Sequence, residues 1–259
     1  MKRFLVISIL LTLICLRGIS QPTVYKPGET IRYSISYGII SAGEATMELR
    51  EKEYNGKTVW HSKLTGRTTG AADAVFKVVD IYESYMEPET GLPVFTIRNI
   101  REGRYRKYNE VIFDHKTRSD STILISDLTG THIAQKGILD ILSCFYHFRN
   151  DIMRVRHNTI RRGDEITIMT WFADELYPII LRYVTTEEIR TKAGRIVCHK
   201  FNPVTEKGRL FKSEEAVSFW FSADRNFLPV KIRFDIFVGA FTVDMVSYEG
   251  TVFPLEIKK

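Results

Sequence analysis

Cysteine is scarce in this chain, with three residues in 259. Cys15 falls inside an N-terminal leader described below, so Cys144 and Cys198 could form at most one internal disulfide. An oxidising compartment would permit that bond. Equally, Cys144 sits at the edge of an apolar helical arc, where a free thiol behaves as a small hydrophobe, and both outcomes stay open. Metal-binding patterns are missing too. The six histidines, His61, His115, His132, His147, His157 and His199, are dispersed, with no H-x-x-x-H and no C-x-x-C, so neither a metal nor another cofactor is expected. No glycine-framed elbow presents a serine nucleophile, and no internal period points to a repeat architecture.

An apolar run long enough to span about 30 Å of hydrocarbon is also absent. The apolar stretch from Phe4 to Ile14 follows Lys2 and Arg3, and Gly18-Ile19-Ser20 supplies small residues before Gln21. That pattern is a cleavable secretory signal peptide at 1–20. Cys15 closes the run as a lipoprotein cysteine would, but Leu13 and Ile14 stand where small residues are needed and Arg17 follows closely. The signal peptide is therefore preferred to a lipid anchor. The mature chain, 21–259, is expected to be a periplasmic or otherwise exported single domain that does not span the membrane. Without Lys2, Arg3 and Arg17 the formal charge falls from +6 to +3. A nucleic-acid partner would need a concentrated basic face in an accessible compartment, and neither is expected.

What the chain does have is alternation. Ile31, Tyr33, Ile35, Tyr37 and Ile39 alternate with small and polar residues, as do Ala45, Met47 and Leu49 and, near the C-terminus, Val230, Ile232, Phe234 and Ile236. Period two with one apolar face marks half-buried antiparallel strands, and about a dozen such segments follow one another with short turns. Val75 to Met86 reads as one long strand, and Gly130 to Gly137 as a lead-in to a helix. Tyr177 to Thr185 and Glu188 to Thr191 read as two strands.

One stretch breaks the rhythm. At roughly 100° per residue, Asp140, Ser143, His147, Asn150 and Asp151 share a narrow arc of Gly137–Asp151, and apolar residues cover roughly 220°. A helix that is apolar over so much of its girth must be enclosed, and burying its seven large side chains is worth at most roughly 10–20 kcal/mol. The expected fold is mainly β: a large, curled, meander-like antiparallel sheet, an open or half barrel, enclosing one main helix at about 137–151.

Three sets of residues suggest function. An interior lined by Tyr33, Tyr37, Phe76, Tyr82, Phe145, Phe219, Phe221, Phe234 and Phe241 would either be filled by its own side chains or admit a hydrophobic or lipid-like ligand. Arg154, Arg156, Arg161 and Arg162 in the segment after the helix could grip phosphate or carboxylate through their donor forks, or dock an envelope protein. Asp140, Ser143 and His147 have the types of a hydrolytic triad, but the serine lies between the other two on a helix and the acid cannot reach the far side of the histidine. A non-enzymatic binding protein is the favoured expectation, an envelope assembly factor the alternative, and a hydrolase the least favoured.

The residues also carry a resemblance. Pro27-Gly28-Glu29 with Tyr33, Tyr37-Gly38 and Ala42-Gly43, then Phe76 through Ser84, Glu102-Gly103 with Tyr105, Phe113-Asp114, and Asp140 through Ser143 followed by Phe145-Tyr146 and Phe148-Arg149 resemble bacterial exported proteins of the domain of unknown function 3108 family. The resemblance implies an envelope location and a mostly β domain, and it supplies no activity or catalytic residue.

Overall fold

The computed structural model describes residues 23–204, 216–235 and 239–258. The leader at 1–20 and the strand positions Ile236 to Val238 lie outside them. The strands are β1 (Thr30–Tyr37), β2 (Ile40–Tyr54), β3 (Lys57–Thr68), β4 (Val79–Met86), β5 (Pro93–Glu102), β6 (Tyr105–Asp114), β7 (Ser121–Ser126) and β8 (Gly130–Gln135). After the helical segment come β9 (Glu165–Phe172), β10 (Glu175–Thr191), β11 (Gly194–Pro203), β12 (Val217–Ser222), β13 (Pro229–Asp235), β14 (Ala240–Glu249) and the short β15 (Ile257–Lys258). All belong to one 15-stranded sheet of order β8-β7-β6-β5-β4-β3-β2-β1-β14-β13-β12-β11-β10-β9, with β15 beside β11.

This is two meanders joined by the pairing of β1 with β14, where Thr30 faces Glu249 and Tyr37 faces Phe241. The predicted alternation holds in its interior. Ile31 and Tyr33 are buried around exposed Arg32, and Ala45, Met47 and Leu49 turn their side chains into the core. Twist accumulated over so many strands forces an open sheet to curl.

The sheet curls but does not close by strand pairing, and its two edges, β8 and β9, are the strands that flank the helical segment in the chain. A non-helical stretch covers β9: Leu139 donates its N–H to Met169 O at 3.3 Å and accepts from Trp171 N–H at 2.7 Å. Trp171 packs with Val111, Phe113, Leu124, Ala134 and Ile138 in a second small core, and its ring lies 5.0 Å from that of His132 on β8. The seam is filled by side chains.

Four boundaries differ from expectation. Gly130 to Gln135 is a strand, its alternation being too short to separate from a helix approach. The predicted strand from Val75 starts at Val79, because Gly70–Val75 forms a short helix, α1; Val75 and Phe76 are exposed. The two strands predicted over 177–191 are one, β10. The main helix begins later than Gly137: α2 (Ser143–His147) runs directly into a π-helical segment (Phe148–Met153) and a last α turn, α3 (Arg154–Arg156). Residues 138–142 go instead to the β9 edge and the helix start. The sheet encloses the helix as predicted, burying Tyr146, Phe148, Arg149 and Met153.

Candidate functional site

Between the helix and β9–β13 lies an apolar cleft of about 280 Å³. Ile141, Phe145 and Phe148 form its helix wall, and Ile168, Ile179, Phe219, Phe221 and Phe234 its sheet wall. The strand rule explains the sheet wall: Phe219 and Phe221 on β12 are two apart and so share one face, and Phe219 faces Phe201 across the β11–β12 ladder. Tyr177, Pro178 and Val204 stand at the mouth, and no charged residue lines the cleft among the described residues. The Cys144 thiol is on its wall, pushed well above its ordinary pKa by burial, so it is a neutral, unreactive apolar group. Cys144 and Cys198 are both buried free thiols, and the disulfide is not formed.

Four of the nine expected lining residues, Phe145, Phe219, Phe221 and Phe234, meet in this cleft. The other five do not. Tyr33 is buried in the main core, where its hydroxyl donates to Pro229 O at 2.8 Å. Tyr37 and Phe241 contact each other at the sheet end, with Phe241 exposed. Tyr82 belongs to a separate small hollow beside Phe172 and Arg98, and Phe76 lies outside on α1's exposed end. Period two identifies the apolar face of a strand but not which stretch of a curled sheet faces the helix.

The arginines do not form one anion site. Arg154 donates to Asn150 O at 2.8 Å and lines a hollow of about 390 Å³ with His157 and Arg225. Arg156 pairs with Asp164 at 3.6 Å, and the same carboxylate accepts the Arg161 N–H. Arg161 and Arg162 are exposed. A roomier hollow, about 980 Å³, lies at the end of the sheet and mixes charged groups such as Glu87 and Lys116 with apolar ones such as Trp60, Leu92 and Ile112.

Asp140 and Ser143 are occupied in starting the helix. Asp140 Oδ1 accepts the N–H of Leu142 at 2.8 Å and of Ser143 at 2.5 Å, and Ser143 Oγ accepts the Asp140 N–H at 2.9 Å. That reciprocal pattern is a capping box. His147 pairs with Asp151 at 2.9 Å. Asp140 Oδ1, Ser143 Oγ and His147 each have a local partner, and no hydrogen bond joins Ser143 to His147 among the described residues.

The polar feature that sequence reading missed is Arg149. It lies inside the predicted helix, and its side chain is fully buried. Its guanidinium donates two-pronged to Glu29, Nη1 to Oε1 at 2.6 Å and Nη2 to Oε2 at 2.8 Å, and also to Asn226 O and Val24 O. Tyr25 and Tyr146 flank it, each ring centre 5.8 Å from the guanidinium carbon. Burial alone would lower its pKa, and the Glu29 carboxylate, with Tyr146 and Tyr33, more than offsets this. The signal was present: Glu29 and Arg149 are the charged members of two motifs that sequence alone could not bring together.

No curated protein matches the chain. Among solved structures, a β-barrel-like protein of domain of unknown function DUF1849 from Brucella abortus aligns with a TM-score of 0.57 at 8% identity, over 88% of this chain and 99% of that one. A candidate exported protein of YmcC-like fold from Bacteroides fragilis aligns at 0.35 and 12% identity, over 88% and 98%. A candidate lipoprotein from Parabacteroides distasonis aligns at 0.37 and 10%, over 88% and 100%. The first shares the curled-sheet fold, and the other two scores are too low to carry an argument. The family described as a protein of unknown function, DUF3108, matches over residues 32–246, and the chain belongs to that family.

Proposed function

We propose that this protein is an exported, non-enzymatic binding protein that holds a single acyl chain, or a lipid-like molecule of similar girth, in the cleft beside its helix. The observation that supports this reading is an uncharged cleft walled by Ile141, Phe145, Ile179, Phe219 and Phe234. Apolar walls select apolar guests because a buried headgroup charge would lack a partner. At about 280 Å³, the space is at the lower limit of small-molecule pockets, roughly 300–1,000 Å³, which favours one chain over several. Export rests on the signal-peptide pattern at 1–20. The assembly-factor alternative has less support, since Arg156 and the Arg161 backbone are already held by Asp164.

Two measurements test the reading. Native mass spectrometry of the protein purified from its own envelope is expected to reveal a co-purifying lipid. Titration with a fluorescent fatty acid in vesicle-free buffer should give saturable binding that Ile179→Arg, on the face of β10 turned to the helix, weakens at least tenfold while the far-UV circular dichroism is preserved, since charge in an apolar cleft costs about 1–3 kcal/mol or more. Non-saturable uptake by both proteins would remove the idea.

A further inference from the structure

Antiparallel pairing sorts the loops of this sheet into two ends, and the ends differ in chemistry. One end carries the Asn55-Gly56 turn, the Pro88-Glu89-Thr90-Gly91 turn, Lys116 to Asp120 and Lys192. Those tips are polar. The opposite end carries the β1–β2 tip, α1 and the β5–β6 turn, where Ile39 is 103% exposed, Val75 87%, Ile40 60%, Phe76 54% and Tyr105 53%. Ile39 reads in sequence as one more inward strand residue, but it falls at the tip of the turn, where none of the described residues covers it.

These tips form one patch. Thr69 N–H donates to Ala42 O at 3.2 Å, which sets α1 beside the start of β2. Gly103 N–H donates to Lys77 O at 2.8 Å, and a Cβ on Gly103 would sit 2.6 Å from the Phe76 ring, so α1 also lies against the β5–β6 turn. Contiguous exposed apolar surface marks an interaction site. Cations surround it: Lys77, Arg101, Arg104 and Arg106 are exposed. Of the neighbouring acids, Asp73 accepts from Thr68 Oγ1 at 2.9 Å and Asp80 from Arg101 N–H at 3.0 Å, Glu44 is paired with Arg67, and Glu102 has its carboxyl pushed up by burial and by the nearby Asp80. Pro203 and Val217 of the apolar cleft stand at this same end of the sheet.

We infer that this end of the sheet docks on an anionic phospholipid surface, with Ile39, Ile40, Val75 and Phe76 entering the acyl boundary and the lysine and arginines meeting the headgroup phosphates. Apolar insertion combined with a basic surround is the usual chemistry of reversible interfacial binding. An apolar patch assembled from three loop tips and ringed by cations fits a bilayer, which deforms around it, better than a protein surface, which needs one complementary shape. No helix among the described residues is long and apolar enough to cross a membrane. The inference goes beyond the cleft reading and does not depend on it.

The test is vesicle co-sedimentation with the chain beginning at Gln21, so that the apolar leader cannot itself insert. Phosphatidylcholine vesicles are compared with vesicles also containing phosphatidylglycerol. Wild type should bind the anionic vesicles, more weakly at high salt. Ile39→Asp combined with Val75→Asp should lower the bound fraction at least tenfold with an unchanged thermal melt. Asn55→Asp with Thr90→Asp, which adds the same charge at the polar end, should leave binding within about twofold. Absence of wild-type binding, equal binding by the tip variant, or equal loss in both variants would overturn the inference. So would a wild-type dimer that the tip variant dissolves without any vesicle binding, which would assign the patch to a second copy. Fatty-acid uptake without vesicle binding would sink this inference alone, and vesicle binding without fatty-acid uptake would sink only the cleft reading.

Discussion

Arg149 and His199 show how far a side chain's environment can depart from its position in the sequence. The Arg149–Glu29 pair is 0% and 2% exposed and ties the segment before β1 to the helix and to the turn at Asn226. Removing one partner strands the other charge without water. Arg149→Ala is therefore expected to cost about 3–5 kcal/mol in urea unfolding, whereas Arg149→Met combined with Glu29→Leu should recover most of that loss. If the double variant is no more stable than the single, the pair's cost is not electrostatic. His199 donates to or accepts from Thr186 Oγ1 at 3.0 Å, its Nε2 is buried with no partner among the described residues, and burial with nearby His157 lowers its pKa to about 4. The unfolded chain takes up that proton near 6.5, the folded one near 4. Stability is thus highest above pH 6.5 and falls as pH drops towards 4, by about 3 kcal/mol at most at 1.36 kcal/mol per unit. Melts of wild type and His199→Gln between pH 4 and 7 should converge as the pH falls. Parallel curves would rule out the histidine. His61 and His115, also lowered by burial, act in the same direction in both proteins.

The helix was the most legible element, and its boundaries the least. Its wide apolar arc demanded enclosure, and the sheet supplies it. The start is set by Asp140, whose carboxylate takes the first free N–H groups, so the chain before it can pair with β9. Asp140→Ala should cost about 1–2 kcal/mol, the usual loss for an N-cap; an unchanged denaturation midpoint would count against a capping role. The π segment could not be read from a 3.6-residue pattern. Phe148 and Met153, five apart and both buried, follow the wider π turn. In the polar arc, Asp140 and Ser143 bond each other in the capping box and His147 pairs with Asp151, so the three do not form the Ser–His–acid chain that their types resemble.

For the whole molecule, the alternation of apolar and polar residues determined a large antiparallel sheet around one helix, because strand period and helix girth are local properties. It also determined that the interior would be greasy and aromatic. Which aromatics face the cleft, and which pack elsewhere, was decided only when the sheet curled: Phe219 and Phe234 reached the helix, while Phe76 and Phe241 ended at the rim. The pairing of β1 with β14, the seam filled by Trp171, and the meeting of Glu29 with Arg149 all join residues far apart in the chain. No local pattern encodes such contacts, since they depend on the twist summed over all the strands between them.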